Sequence, residues 1–374
     1  MPYRRVVIAA WSLGILFSVC LCLIIGEFAL RTIHLVRDGI AFFEAPSGRV
    51  GAIMLDPRLG WRATANYAQD TWITSQQGRV YPVHRAQGTL GFRSYGTLHA
   101  QRPKLLVIGD SFTQATAVSD DQTYHARLGH QVGMDVFAYG AGGYGTLQEY
   151  LILDEVLDHI QPTMLLWQFC SNDFINNDYA LEQASTLNNN GWPRPYWEAG
   201  HIVVRSPKPV GAHVRDWIHD HSRFFYFVLS RVDRLKARVT SESVEHAIAR
   251  EGLAHPGFAR SVQITDELMG RVRARVGELP MYAFNCDTDE PYTTAFEMIA
   301  RHHGIQYWKE VPESVHAALA QGLDVLAEDG HWNDAGHAVV AESLGRHFKR
   351  LMPLLERQAS VYTEAPTSPS SFTR

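Results

Sequence analysis

Cysteine is scarce, with four residues in 374 and no CxxC pair, which excludes a disulfide scaffold and a structural zinc site of the usual spacing. Basic clusters are also missing. Lys and Arg number 34 against 39 Asp and Glu, giving a formal net charge of −5. No run of positive residues offers the electrostatic footprint of a nucleic-acid-binding surface, so nucleic acid is excluded as a partner. There is neither an internal repeat nor a heptad run, which removes solenoids and coiled coils. Against these absences stand a hydrophobic fraction of 46% and 11% aromatics. Such a chain buries enough apolar surface to offset its conformational entropy, so disorder over its bulk is excluded. At roughly 100–200 residues per domain, the length allows two domains or one large α/β unit with an attachment.

The apolar residues are unevenly spread. From Val6 to Gly26 the sequence VVIAAWSLGILFSVCLCLIIG carries no charge. As a helix it spans about 31 Å, matching a hydrocarbon core of about 30 Å. A cleaved signal has an apolar region of only about 7–15 residues and then a small-x-small site, which Glu27-Phe28-Ala29-Leu30 does not offer. Bulky Val19 and Leu21 precede Cys20 and Cys22 where a lipoprotein needs small residues, so both cysteines read as apolar members of the span. The expectation is a transmembrane anchor over residues 6–27 and a cytoplasmic tail, 1–5, carrying Arg4 and Arg5. Everything from Glu27 onward then lies on the far side, although Arg31 and Arg37 weaken the charge asymmetry.

Residues 28–102 form a lead-in rich in Gly, Pro and aromatics, with pieces such as LDPRLGWRATANY and HRAQGTLGFRSYG that read as short strands and hairpins. The alternative for it is an irregular spacer. After Pro103 strands alternate with helices. Strands are predicted over 104–110, 134–140, 163–169, 280–285 and 305–308, and helices over 121–131, 146–160, 258–276, 291–303 and 334–351. Residues 171–257 interrupt this alternation, polar in their first half and helical over 215–238. A Ser/Thr/Pro-rich tail, 352–374, is expected to be disordered. About five short parallel strands with crossovers predict a flavodoxin-like three-layer α/β/α sandwich, whose sites form at the carboxyl ends of the strands.

That rule directs attention to four strand ends. KLLVIGD leads into Ser111, whose hydroxyl would stand at the sheet edge beside free backbone N–H groups able to stabilise an oxyanion. YGAGGYGT, Tyr139 to Thr146, has glycines that let backbone donors approach a ligand closely. CSND places Asn172 as a neutral amide donor above the same edge. Far along the chain, DGHWNDAGH sets Asp329 two residues before His331, so both side chains of an extended segment point the same way and the acid can hold the imidazole in one tautomer.

Together, over about residues 103–351, these blocks resemble the SGNH hydrolases, also called the GDSL esterase/lipase family. The lead-in, with GFR at Gly91–Arg93, is similar to that of membrane-anchored bacterial members. The resemblance implies Ser111 as nucleophile, His331 as general base and Asp329 as its orienting acid. It implies an oxyanion hole made of the Ser111 N–H, the Gly143 N–H and the Asn172 side chain, with Gly140 and Gly142 as alternatives to Gly143. No metal and no cofactor enter such chemistry. Two departures stand out. Cys170 occupies a position where the family has glycine, and one residue rather than two separates acid from histidine, which leaves Glu328 and Asp324 as substitute acids.

Other polar and aromatic residues have plainer readings. Asp110 reads as a structural hydrogen-bond acceptor and His337 as a residue that caps or packs the last helix. A metal site of Asp329, His331 and His337 lacks a further ligand. Cys170 and Cys286 read as two buried thiols that this topology could bring together. Trp192, Tyr196 and Trp197 read as packing of the interruption rather than a sugar-stacking platform. The sequence thus points to a serine esterase of the bacterial inner membrane, single-pass and extracytoplasmic. Its expected substrate is an acylated small molecule or carbohydrate, plausibly an O-acetyl ester of the cell envelope. An O-acyltransferase would use the same residues, and a non-catalytic glycan-binding subunit is the reading from another class.

Overall fold

The computed structural model describes residues 2–38, 42–43, 52–99, 102–185, 187–208, 217–218, 221–225, 227–229, 231–232 and 243–363, with side chains from 11 to 351 among them. The first element is a long helix, α1 (Pro2–Asp38). Over Trp11–Val36 its mean hydropathy is 2.4 and none of it is buried. By length and composition it can cross a membrane, as can a signal sequence. It runs eleven residues past the expected boundary at 27, and its Glu27 serves as a docking point. The Glu27 carboxylate accepts hydrogen bonds from Ser222 Oγ at 2.7 Å and from the backbone N–H groups of Arg223 and Phe224 at 3.0 and 2.8 Å.

Of the lead-in, residues 28–38 continue α1, and from Ile53 the described residues form short strands rather than an irregular spacer. β1 (Ile53–Asp56) pairs antiparallel with β2 (Gly60–Ala63), and β3 (Tyr67–Thr74) with β4 (Val80–Gln87). A short β5 (Ser94–Tyr95) ends it. Then come β6 (Lys104–Gly109), α2 (Ser111–Gln114), α3 (Tyr124–Val132), β7 (Asp135–Gly140), α4 (Thr146–Ile160) and β8 (Met164–Phe169). The interruption contributes α5 (Ser171–Asn177), α6 (Tyr179–Ala184), the hairpin β9 (Arg194–Glu198) and β10 (His201–Arg205), and α7 (Val244–Glu251). Of the helix expected over 215–238, the described residues are helical at 217–218, 221, 223–225, 227–229 and 231–232, and the rest lie outside the described residues. The domain closes with α8 (Pro256–Val276), β11 (Met281–Asn285), α9 (Tyr292–His302), β12 (Gln306–Tyr307), α10 (Glu310–Ala320) and α11 (Asp334–Thr363).

The central sheet has the order β12-β11-β8-β6-β7-β5, parallel except for the antiparallel edge β5. Leaving out that edge, the five parallel strands follow the flavodoxin-type order, in which the first strand, β6, lies between the second, β7, and the third, β8. β7 and β8 are buried along their whole length and β6 along all but its first residue, as parallel strands covered on both faces must be. One core packs Trp167, Phe169 and Leu106 against α4, α8 and α9, and the other packs Leu105, Val107 and Phe284 against α3, α10 and α11.

Two expectations need correction. The last helix reaches Thr363 rather than ending near 351, because Leu354, Leu355, Glu356 and Arg357 are strong helix formers and, apart from Pro353, Ser360 and Thr363, the Ser, Thr and Pro residues of the tail come after it. Residues 364–374 of the expected tail lie outside the described residues. Cys170 and Cys286 are not free thiols but a disulfide, with Cα atoms 5.2 Å apart. The cause is register. Phe169 of β8 is paired with Asn285 of β11, so the next residue of each strand meets its neighbour. Closing a loop with a sequence separation of 116 residues stabilises the fold by about 4–5 kcal/mol in the chain-entropy account.

Candidate active site

β6 and β8 flank the point where strand order reverses; Ser111 follows β6, Asn172 follows β8 and the glycine loop follows β7, while Asp329 and His331 come from the segment between α10 and α11. Ser111 opens α2, and Asp110 is its N-cap, with the Asp110 carboxylate accepting from the Phe112 N–H at 3.0 Å. The Ser111 Oγ lies 2.8 Å from His331 Nε2 and 3.2 Å from Asp110 Oδ2. His331 Nδ1 lies 3.2 Å from Asp329 Oδ2, an ion-pair distance without the alignment of a hydrogen bond. Asp329 also accepts from the His331 backbone N–H at 3.1 Å. Residues 220 positions apart therefore line up as hydroxyl, imidazole and carboxylate. Of the substitute acids, Asp324 is committed to Arg79 at 3.4 Å, and Glu328 makes no ion pair with His331 among the described residues.

The electrostatics suit a base. Burial pulls the His331 imidazole down, but the close Asp329 carboxylate and its charge, with the field of Asp110, outweigh it and raise His331 above its ordinary value. Asp329 is held below the usual carboxylate range by His331. Burial pushes Asp110 up, and it pushes Glu149 and Asp173 well above the carboxylate range. A reaction that used His331 as its base would need the neutral imidazole, so its kcat/KM is expected to rise with pH through a midpoint above the ordinary histidine value. Asp329→Asn removes the charge that favours imidazolium. The acid limb of the pH profile then moves to lower pH while the plateau falls, and a rate profile from pH 4 to 9 reads both.

Ser111, Gly142, Gly143, Asn172 and His331 line one open cavity of about 420 Å³. Gly140 is paired inside the sheet with Gly109. The Gly142 N–H is already donated to Gln114 Oε1 at 2.9 Å. The Gly143 N–H has no partner among the described residues, and Gly143 takes the positive φ of +71° that favours glycine. Asn172 uses one amide hydrogen to Asn176 Oδ1 at 3.1 Å and keeps the other. The disulfide beside it ties the start of α5 to the end of β11, at the position where the resemblance leads one to expect glycine.

The remaining sequence candidates serve the frame. His337 is buried and its Nδ1 accepts from the Tyr124 N–H at 3.1 Å, so it does not converge with Asp329 and His331 on a metal. Tyr196 and Trp197 are buried, and Trp192 meets Trp61 edge to face at 5.4 Å. Sequence reading missed the residues that hold the loops. Gln76 N donates to Leu326 O at 3.0 Å, and Arg79 pairs with Asp334, so the β3–β4 hairpin props the loop that carries His331. Trp61 and Arg194 grip the glycine loop. Local pattern carried no signal for these contacts, which join segments 51 to 255 residues apart.

No protein-family profile and no curated protein matches the chain. Among solved structures it is similar to a lipase/acylhydrolase from Enterococcus faecalis, at 10% identity over 66% of this chain and 95% of that one, with a TM-score of 0.37. It is similar to TesA at 15% identity over 67% and 99%, with a TM-score of 0.37. An acetylxylan esterase from Geobacillus stearothermophilus matches at 10% identity over 65% and 93%, again with a TM-score of 0.37.

Proposed function

We propose that this chain is a serine esterase of the SGNH type, held by α1 at the outer face of a bacterial inner membrane and removing O-acyl groups, above all O-acetyl, from cell-envelope carbohydrate. The observation that carries the reading is the Ser111–His331–Asp329 line opening on a cavity that also receives Gly143 and Asn172. His331 Nε2 takes the Ser111 proton as Oγ bonds to the ester carbonyl carbon. The carbonyl oxygen becomes an oxyanion facing the Ser111 and Gly143 N–H groups and the Asn172 amide, each worth about 3–4 kcal/mol. Collapse breaks the bond to the alcohol, which leaves with the proton from His331. Water then repeats the sequence and releases the acid.

Substrate class rests on the lining of the cavity. Five asparagines, 172, 176, 188, 189 and 190, border it, against only Phe112 and Leu187 as large apolar side chains. Amides suit hydroxyl-rich substrates and give a long acyl chain little apolar surface to bury. The Cys170–Cys286 disulfide supports an oxidising, extracytoplasmic setting, in keeping with an apolar helix ahead of the domain. The test is turnover of p-nitrophenyl acetate together with fluorophosphonate labelling, read as a mass shift on the peptide holding Ser111. Acetate release from an acetylated polysaccharide, compared with hydrolysis of a palmitoyl ester, reads the substrate class. A folded protein that neither turns over the ester nor takes the label sinks the proposal.

A further inference from the structure

The glycine loop is held from behind. Trp61, on β2 of the lead-in and only 1% exposed, donates its Nε1–H to the Gly142 carbonyl at 3.2 Å. Arg194, on β9 and fully buried, donates Nη2–H to the Gly143 carbonyl at 2.6 Å. Its guanidinium lies 4.9 Å from the Trp61 ring and pairs with Glu182 at 3.1 Å. With the Gly142 N–H taken by Gln114, three of the four backbone polar groups of Gly142 and Gly143 are engaged and the fourth, the Gly143 N–H, is not. Gly142 C=O and Gly143 N–H are opposite ends of one planar trans peptide. Drawing the carbonyl back to buried Trp61 therefore turns the N–H the other way, towards the cavity that Gly143 lines.

We infer that Trp61 is a positioning residue for the oxyanion hole, so that the lead-in forms part of the catalytic apparatus; the inference rests on the esterase reading above. Trp61 is itself well seated. Tyr144 Oη donates to its carbonyl at 2.6 Å, and Gln148 Nε2 donates to Leu59 O at 2.7 Å. At Gly60, φ is +83° and any Cβ would strike the Pro193 carbonyl, so β2 lies directly against the chain entering β9. An aromatic donor on such a mount sets the tilt of the Gly142–Gly143 peptide without touching substrate.

The test replaces the donor and keeps the ring. Trp61→Phe removes the N–H, and 3-benzothienylalanine at position 61, with sulfur in place of the N–H, keeps the full shape and so the fold. Both are expected to lower kcat for p-nitrophenyl acetate about tenfold with KM within about twofold, since a misaimed oxyanion donor weakens the transition state and not the ground state. The thermal midpoint of the benzothienyl protein is expected to fall by only a few degrees, the cost of one buried hydrogen bond, so that it stays folded under assay conditions while kcat alone is lost. Wild-type kcat in the benzothienyl protein overturns the inference while leaving the esterase reading intact. Wild-type protein inert to both ester and fluorophosphonate overturns both.

Discussion

Ser111→Ala and His331→Ala each lower kcat for p-nitrophenyl acetate by roughly 10⁴–10⁶-fold, and the double variant falls no further. These are the expected results, because in the proposed mechanism the hydroxyl and the imidazole act as one unit across their 2.8 Å contact. Without His331 the Ser111 proton has no acceptor placed to return it to the leaving alcohol. Asp110 is the other group within reach of the hydroxyl, at 3.2 Å, but it is buried and caps α2 through the Phe112 N–H. The residual rate in all three variants comes from the oxyanion donors and substrate binding, which neither substitution touches. Steady-state rates of the two single variants and the double variant check this. A sum of the two losses in the double variant would show that the residues act independently.

Asn172→Ala lowers kcat by roughly 10²–10³-fold, with a much smaller change in KM. Its free amide hydrogen meets charge that exists only once the carbonyl becomes tetrahedral, so the loss falls on the transition state. The amide does not drift, because Asn176 accepts its other hydrogen at 3.1 Å and the Cys170–Cys286 bond fixes the first turn of α5. Asn176→Ala, which frees the amide to rotate without removing it, is expected to cost less, on the order of tenfold. A raised KM with kcat unchanged for Asn172→Ala would instead assign the amide to ground-state binding.

The parallel strands were legible because a strand buried on both faces must be a short, nearly unbroken apolar run, as KLLVIG and MLLWQF are. The site candidates were legible for a related reason. Loops at the carboxyl edge carry Ser111, Gly143, Asn172, Asp329 and His331 in short local motifs, and each motif is complete within a few residues. The end of the last helix was misread because composition averaged its helical start with a Ser/Thr/Pro-rich remainder.

Local chemistry, then, is what the sequence by itself determined: an apolar span of membrane length, alternation that demands a sheet covered by helices, and the residue types for acyl transfer. Tertiary structure alone decided that two cysteines meet across β8 and β11, and that a lead-in tryptophan and a buried arginine hold the glycine loop. The physical reason is range. Periodicity and motif spacing report on neighbours along the chain, whereas these contacts depend on strand register and on the approach of segments 51 to 116 residues apart.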